Sequence, residues 1–353
     1  MIRISRYIGR SVIGAIAMVL LVITGLDCIT AIIDELANIQ GNYDFLEVLA
    51  YVALTIPSRI YEFIPFATLI GCLAGLGMLA SNSELVVIRS AGISSWRIVW
   101  MVMRPALLIM IFGLLLGEYI APPAEQIAQS RRALAESGNG GFTSRSGLWK
   151  REGNDYMHFN AVQPNGVLYG VTLLNFTDQR RLKSALYARR ASYQQGEWLM
   201  EGVKETLLSD GKTERLEANT REWQTSLTPQ ILNLVIMPPE NLSVSGLKAY
   251  STYLKVQGLD SREYDLAFWG KVLQPLAITA LVLVAISFVF GPLRQVTMGF
   301  RIFSGVIIGI IFRTSQDLLG PASLVFGFSP LYAALAPLII CLLIGALMIN
   351  RRL

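Results

Sequence analysis

The sequence predicts an α-helical membrane protein of six transmembrane helices, with an all-β, jelly-roll-like domain inserted outside the cytoplasm between helices 3 and 4. Three observations carry that reading. Of the 353 residues, 53% are hydrophobic and only 16% charged, where a soluble domain carries about 25%, and the mean hydropathy is +0.49. Apolar runs of about 18 residues or more, long enough to cross a bilayer, recur along the chain. Between the third and fourth runs the texture changes to alternating polar and apolar residues punctuated by turn dipeptides.

The runs fall at about 11–33, 57–80, 98–120, 269–293, 302–320 and 328–349. Residues 63–80, 272–293 and 322–350 contain no charge, whereas the fifth run is interrupted by Arg313 and Asp317. Arg3, Arg6 and Arg10 precede the first run as they would in a signal peptide. That run is too long and lacks an A-x-A cleavage site, so it reads as a retained anchor. Short basic loops stay in the cytoplasm. Arg3, Arg6 and Arg10, then Arg89 and Arg97, Arg294 and Arg301, and Arg351 and Arg352 all fall on one side. The first loop on the other side carries Asp34, Glu35, Asp44 and Glu47. Both termini are therefore expected in the cytoplasm.

Residues 121–265 then lie outside the cytoplasm, with 17 basic and 16 acidic side chains. Alternating stretches at 156–162, 168–176 and 213–223, separated by Asn165-Gly166, Gln195-Gly196 and Asp210-Gly211, predict strands and hairpins. A sandwich or jelly roll of about 100 residues follows. The flanks, 121–137 and 246–265, read as short helices continuing the spans.

Several chemistries are disfavoured by composition. The net charge of +5 is not gathered on one soluble face, so nucleic acid is not an expected partner. Cys28, Cys72 and Cys341 all sit in apolar runs, and His158 is the single histidine, so disulfide frameworks, zinc sites and histidine catalysis lack raw material. Gly211-Lys212-Thr213 resembles the end of a phosphate loop. Thr206 stands where that loop needs its first glycine, and a hairpin stands where it needs a helix. If ATP is used, another chain binds it.

The loop from Ser81 to Ser95 is the clearest candidate for a partner contact. Ser81 and Glu84 have capping-box spacing and Gly92 supplies a stop, which predicts a short helix along the cytoplasmic surface. Leu85, Val86 and Ile88 beside Glu84 and Arg89 suit docking into a groove, the plain alternative being a connecting turn. Charges within spans point to function, to pairing or to snorkelling. Arg313 and Asp317, four apart on one face, can neutralise each other or line a polar cavity. Snorkelling accounts for Glu118 and Lys271 more easily than for Asp27, and Glu62 also lies near a span end. Gly71/Gly75, Gly113/Gly117 and Gly305/Gly309 have the spacing that lets helices approach closely.

LIGCLAGLGMLASNSELVVIRSAGIS (69–94), GEYIAPPAEQIA (117–128), GLWKREGN (147–154), SGLKAYSTYLKVQG (245–258), DLAFWGKVLQPLAI (265–278) and SFVFGPLR (287–294) stand in an order that resembles the lipopolysaccharide export permeases of the LptF/LptG family, on the LptG side of that pair. The resemblance spans nearly the whole chain. It implies a half-permease of the bacterial inner membrane with a periplasmic β-jellyroll, non-catalytic in itself. Its implied partners are a homologous half-permease (LptF), a dimer of the ATPase LptB that binds ATP and Mg, the single-span LptC, an LptA-type periplasmic bridge and the lipopolysaccharide substrate. No cofactor is implied on this chain.

The implied domains are 1–120, with helices 1–3 and a coupling helix at 83–92; 121–265, the periplasmic domain; and 266–353, helices 4–6. The family's coupling helix falls on Ser83, Glu84, Leu85, Ile88, Arg89 and Gly92, with Glu84 its acidic contact. Spans one and five line the family's lipid cavity, which puts Asp27, Ile33, Asp34, Phe312, Arg313, Gln316 and Asp317 beside the substrate. Family members often present lysines at the outer end of span one, where this chain has Ile33, Asp34, Glu35, Leu36, Ala37 and Asn38. Arg59, Arg131 or Arg132, or the partner subunit, would then supply positive charge for lipid phosphates. Two rivals are an ion-coupled secondary transporter, disfavoured because a large domain divides the spans, and a membrane-anchored sensor or scaffold.

Overall fold

The computed structural model describes residues 2–39, 43–137, 148–162, 167–194, 196–209, 212–225, 228–229, 237–256, 258–290 and 296–350. They form two compact units, one of Met1–Thr30, Ile56–Pro122 and Leu242–Leu353, the other of Ala31–Thr55 and Pro123–Asn241. The helices are α1 (Ile2–Leu36), α2 (Phe45–Ser81), α3 (Glu84–Ser90), α4 (Ser95–Leu115), α5 (Ala121–Ser137), α6 (Val244–Val256), α7 (Arg262–Val272), α8 (Gln274–Phe290), α9 (Met298–Phe326) and α10 (Pro330–Asn350). Among the described residues five helical segments are long and apolar enough to cross a membrane, or six if α7 and α8, bent by 49° at their break, form one span. Each run predicted from hydropathy lies on one of them, apart from Phe328 and Ser329, which precede α10, and residues 291–293, which are outside the described residues. Most of the helices extend well beyond the run.

The first unit is a helical bundle organised on α2. Val12 and Ile16 of α1 are fully buried and meet α2 where it is glycine. A Cβ on Gly71 would lie 2.5 Å from Ile16 Cα, and one on Gly75 3.1 Å from Val12 Cα. Gly113 and Gly117 of the third span region sit against Ile64 and Tyr61, and Gly305 and Gly309 of α9 against Leu73 and Phe66. All three small-residue pairs thus serve packing within the chain, bringing three other helices onto α2. The most apolar window of α2 is accordingly 78% buried, against 17% for α1 and for α9. Pro57 and Pro65 lie within α2 and Pro321 within α9. The third span passes into a five-residue π-turn, Leu116–Ile120, before α5 continues the same helical path.

The second unit contains the C-terminal end of α1, the N-terminal end of α2, most of α5 and an antiparallel sheet. Its strands are β1 (Leu148–Glu152), β2 (Asp155–Phe159), β3 (Ala161–Val162), β4 (Val167–Phe176), β5 (Leu182–Gln194), β6 (Glu197–Ser209) and β7 (Lys212–Trp223). They are ordered β1-β2-β4-β5-β6-β7, with β3 also paired to β4. The pairs Gln194↔Glu197 and Ser209↔Lys212 close two hairpins over two residues each. Gly196 adopts φ +95°, which a side chain would resist. Gln195, Asp210-Gly211 and Asn165-Gly166, the other predicted turn residues, lie outside the described residues, as does Gly211 of the glycine-lysine-threonine triplet. Trp198, Phe159, Leu168, Val171 and Met200 form the sheet's apolar core. Trp223 packs against both Trp198 and Phe159, with centroids 5.9 and 6.2 Å away. Apart from Trp223, β7 is exposed along its length. Burial lowers the affinity of His158 for a proton, so this ring, 4.8 Å from the Trp149 centroid and tilted by 43°, favours the neutral form.

Gly71→Ala is expected to destabilise the purified protein by about 1–3 kcal/mol through overpacking against the α1 backbone, whereas Gly14→Ala, with nothing within 4 Å of the new methyl, is expected to be neutral. Thermal unfolding followed by circular dichroism in detergent distinguishes the two. Equal stability of both variants would refute the close approach.

Candidate functional site

The loop from Ser81 to Ser95 forms the short helix that was expected, with a different start. Two residues, Asn82 and Ser83, separate α2 from α3, so Ser81 still belongs to α2 and its hydroxyl donates back to the Met78 carbonyl at 2.9 Å. A capping box needs its serine outside the helix in extended backbone. That condition is not met. Ser83 stands at the N-cap with φ 60° and no side-chain cap, while its carbonyl accepts from Val86 and Val87 N–H at 3.1 and 3.2 Å. Asn82 Nδ2 donates to Glu84 Oε1 at 3.4 Å. At the far end Gly92 takes φ +81°, as its predicted role as a stop requires.

The apolar stripe of α3 is divided between two faces. Leu85 is buried and Ile88 packs against the bundle core, while Val86 and Val87 are exposed, Val87 at 65%. Helical rotation of about 100° per residue puts Leu85 and Ile88 on one side and Val87 on another. A groove of about 420 Å³ lies beside α3, lined by Arg3, Ile4 and Tyr7 of α1 and by Asn82, Glu84, Val87 and Ile88. The Tyr7 hydroxyl faces the Glu84 carboxylate, so the acidic residue is held at the groove wall. Tyr7 carried no sequence signal, since it stands 77 positions from Glu84 and the two are joined by packing alone.

The charged residues within the spans are also gathered by α2. Asp27 of α1 pairs with Arg59 of α2, and three residues further along, Glu62 accepts from Arg313 of α9 at 2.9 Å. Arg313 Nε also donates to Asp317 at 3.0 Å. Arg59 and Glu62 are i,i+3 neighbours and share a face. One turn of α2 therefore clasps α1 on one side and α9 on the other. Of the residues expected at the cavity, Asp27 is joined to Arg59 and Arg313 to Asp317, with Glu62 as the second partner of Arg313. Gln316 is half-buried, and Phe312 is buried in the bundle core. Ile33 and Asp34 are exposed and belong to the second compact unit. Opposite charges at 59 and 62 were the available signal for the clasp, but their partners lie on helices far away in sequence.

Every arginine considered for phosphate contact already has an acidic partner. Arg59 holds Asp27, Arg131 holds Glu47 at 2.9 Å, and Arg132 holds Glu35 at 2.9 Å while lying 5.3 Å over the Tyr51 ring. Glu35 near the end of α1 and Glu47 in the first turn of α2 are thus counterions for α5. Tyr43 donates to the other Glu35 oxygen at 3.2 Å. Burial and then the Glu35 charge push its phenol well above the usual range, so it remains a donor.

Snorkelling is also corrected for two residues. Glu118 accepts from the Val244 and Ser245 N–H groups at 2.8 and 3.3 Å and caps the start of α6. Lys271 donates to the Leu242 carbonyl at 2.6 Å and lies 5.1 Å from the Tyr61 ring centroid. Between α6 and α7, the exposed Asp260 is held at a pKa of about 2 by hydrogen bonds from Arg262, which also reaches the Leu324 carbonyl at 3.2 Å. Among the described residues no group of three or more His, Cys, Asp or Glu could hold a metal ion.

Apolar helices of spanning length, interrupted by an antiparallel sheet and carrying a short surface helix after the second span, define a multi-pass membrane protein with an inserted β domain. The family model for "Lipopolysaccharide export system permease LptF/LptG" matches residues 6–351, and the chain belongs to that family. It is similar to the lipopolysaccharide export system permease protein LptG of Escherichia coli strain K12, with 36% identity over 99% of this chain and 98% of that protein. It is also similar to LptG of Haemophilus influenzae, with 34% identity over the same shares. The helices and the β domain agree with a multi-pass protein of the inner membrane.

A double-mutant cycle tests the clasp. Glu62→Gln and Arg313→Gln are each expected to lower thermal stability, and together to lower it by less than their sum, with a coupling of about 1 kcal/mol. Strict additivity would show that the two helices are not joined through this pair.

Proposed function

We propose that this chain is one half of the membrane portion of an ATP-driven lipopolysaccharide exporter. It extracts the lipid from the outer leaflet of the inner membrane and passes it to a bridge of β domains leading towards the outer membrane. The observation that carries the reading is the contrast within the bundle: α2 is mostly buried, whereas α1 and α9 are each 17% buried over their most apolar windows. Two long apolar helices clasped to one central helix, with their outer faces open, suit a half-cavity completed by a second half-permease of the LptF type.

Physical chemistry supports such a cavity. Each CH₂ of an acyl chain favours lipid over water by about 0.8 kcal/mol, so withdrawing a multi-chain lipid needs an apolar route throughout. In this reading Asp27, Ile33, Asp34, Arg59, Phe312, Arg313, Gln316 and Asp317 belong to the cavity helices, with Phe312 supporting the face from beneath. A phosphate entering near Arg59, Arg131 or Arg132 would compete with a carboxylate. The sheet core of Trp198, Phe159 and Met200 would become the acyl-chain path of a periplasmic jelly roll, and an exposed edge such as β7 would accept another strand.

The energy would come from a dimer of an LptB-type ATPase that holds ATP and Mg, this chain binding no cofactor. Ser83, Glu84, Leu85, Ile88, Arg89 and Gly92 form the coupling segment, Leu85 and Ile88 anchoring it to the bundle and Glu84 meeting the ATPase. Closure of the ATPase would move α3 and narrow the cavity. The termini are assigned to the cytoplasm and residues 121–265 to the periplasm by the distribution of arginines, between transmembrane domains at 1–120 and 266–353. LptC and an LptA-type bridge complete the assembly.

Glu84→Ala is expected to leave expression and folding intact while reducing ATPase co-purification or lipid-stimulated turnover by about tenfold, the loss of about 1.4 kcal/mol of contact energy. Pull-down of the full complex and turnover in liposomes containing lipopolysaccharide provide the readouts. Unchanged assembly and transport would remove α3 from the coupling path.

A further inference from the structure

Arg301, which stands among the basic residues flanking a cytoplasmic loop in the sequence, lies in the first turn of α9 with 1% of its surface exposed. Its guanidinium donates to the backbone carbonyl of Gly77, one turn before α2 ends at Ser81. Glycine is required for that approach: a Cβ at 77 would lie 2.8 Å from Arg301 Cδ and 3.5 Å from Met298 Sδ. Only Asn82 and Ser83 separate Ser81 from the start of α3 at Glu84. The first turn of α9 is thus attached to α2 immediately before the coupling helix.

The chemistry of this contact differs from the others on α2. A guanidinium stays charged at any physiological pH, and once removed from water it must keep its hydrogen-bond acceptors. The acceptor here is a main-chain carbonyl inside a helix, which cannot swing to follow a departing partner as a side chain does. Sliding α9 along α2 would break this hydrogen bond inside the bundle. By contrast, α1 meets the same stretch of α2 through neutral groups, including a Ser11 hydroxyl 3.5 Å from the Gly75 carbonyl.

We infer that Arg301 is a positioning residue that locks the inner end of α9 to the end of α2, so that displacement of α3 is delivered to α9 rather than absorbed at the α2–α9 contact. The inference rests on the exporter reading for the source of the displacement, but the lock itself is a property of this chain.

The test uses two readouts. Spin labels at Ser90→Cys on α3 and Ile307→Cys on α9, in full-length protein with the three native cysteines replaced by alanine, report their separation in nanodiscs. The wild-type background is expected to give one narrow distance distribution, Arg301→Met a distribution broadened about twofold, and Arg301→Lys a narrow one, because an ammonium can still donate to the Gly77 carbonyl. In the complex with its co-purified ATPase, Arg301→Met is expected to hydrolyse ATP within about twofold of wild type while lipopolysaccharide released per ATP falls about tenfold, with Arg301→Lys recovering most of it. A narrow distribution in Arg301→Met overturns the lock. A broad one with an unchanged transport-to-hydrolysis ratio overturns its role in transmission, as does parallel loss of assembly and hydrolysis. If wild-type protein retains no ATPase, the exporter reading fails, and the distance measurement still decides the lock.

Discussion

The structure depends on how closely other helices can approach α2. Lipid offers no hydrophobic drive for one helix to leave it for another, so association rests on packing and on polar groups that satisfy each other. Gly71 and Gly75 let the α1 backbone lie against α2, Gly305 and Gly309 do the same for α9, and Gly113 makes room for Ile64. A methyl group at Gly71 would already meet the main chain of Ile16. The small residues are therefore what allow one helix to serve as the hub for several.

Close approach has an electrostatic consequence. Charged side chains in a membrane bundle persist where partners meet them, and α2 carries those partners at three levels. Arg59 meets Asp27, Glu62 meets Arg313, and the Gly77 carbonyl meets Arg301. The first two contacts are partly exposed and join the helices whose apolar faces are open, while the third is sealed within the bundle next to α3. The same helix thus carries partly exposed ion pairs along its middle and a buried main-chain contact near Ser81.

Much of the candidate site was legible because its signals are local. Gly92 ended a short helix, Arg313 and Asp317 were recognisable at four-residue spacing, and three glycine pairs announced close packing. What was misread depended on a distant partner. Ser81 had the spacing of a cap but remained inside α2, because two residues suffice to connect it to α3. Glu118 and Lys271 resembled snorkelling charges until Val244, Ser245 and Leu242 were found at their ends. Arg131 and Arg132 were open to phosphate contact until Glu47 and Glu35 were found beside them.

The sequence by itself determined the class of protein: long uncharged runs have no stable place in water, two-residue alternation suits a half-buried sheet, and the ordered motifs fit the lipopolysaccharide export permease family. Hydropathy and spacing report what each segment needs from its surroundings. They do not report which segment supplies it. Only the tertiary structure decided that Glu62 belongs to Arg313, that Glu35 belongs to Arg132, and that Arg301 is buried against Gly77, because each pairing joins residues dozens to hundreds of positions apart through the packing of helices around α2.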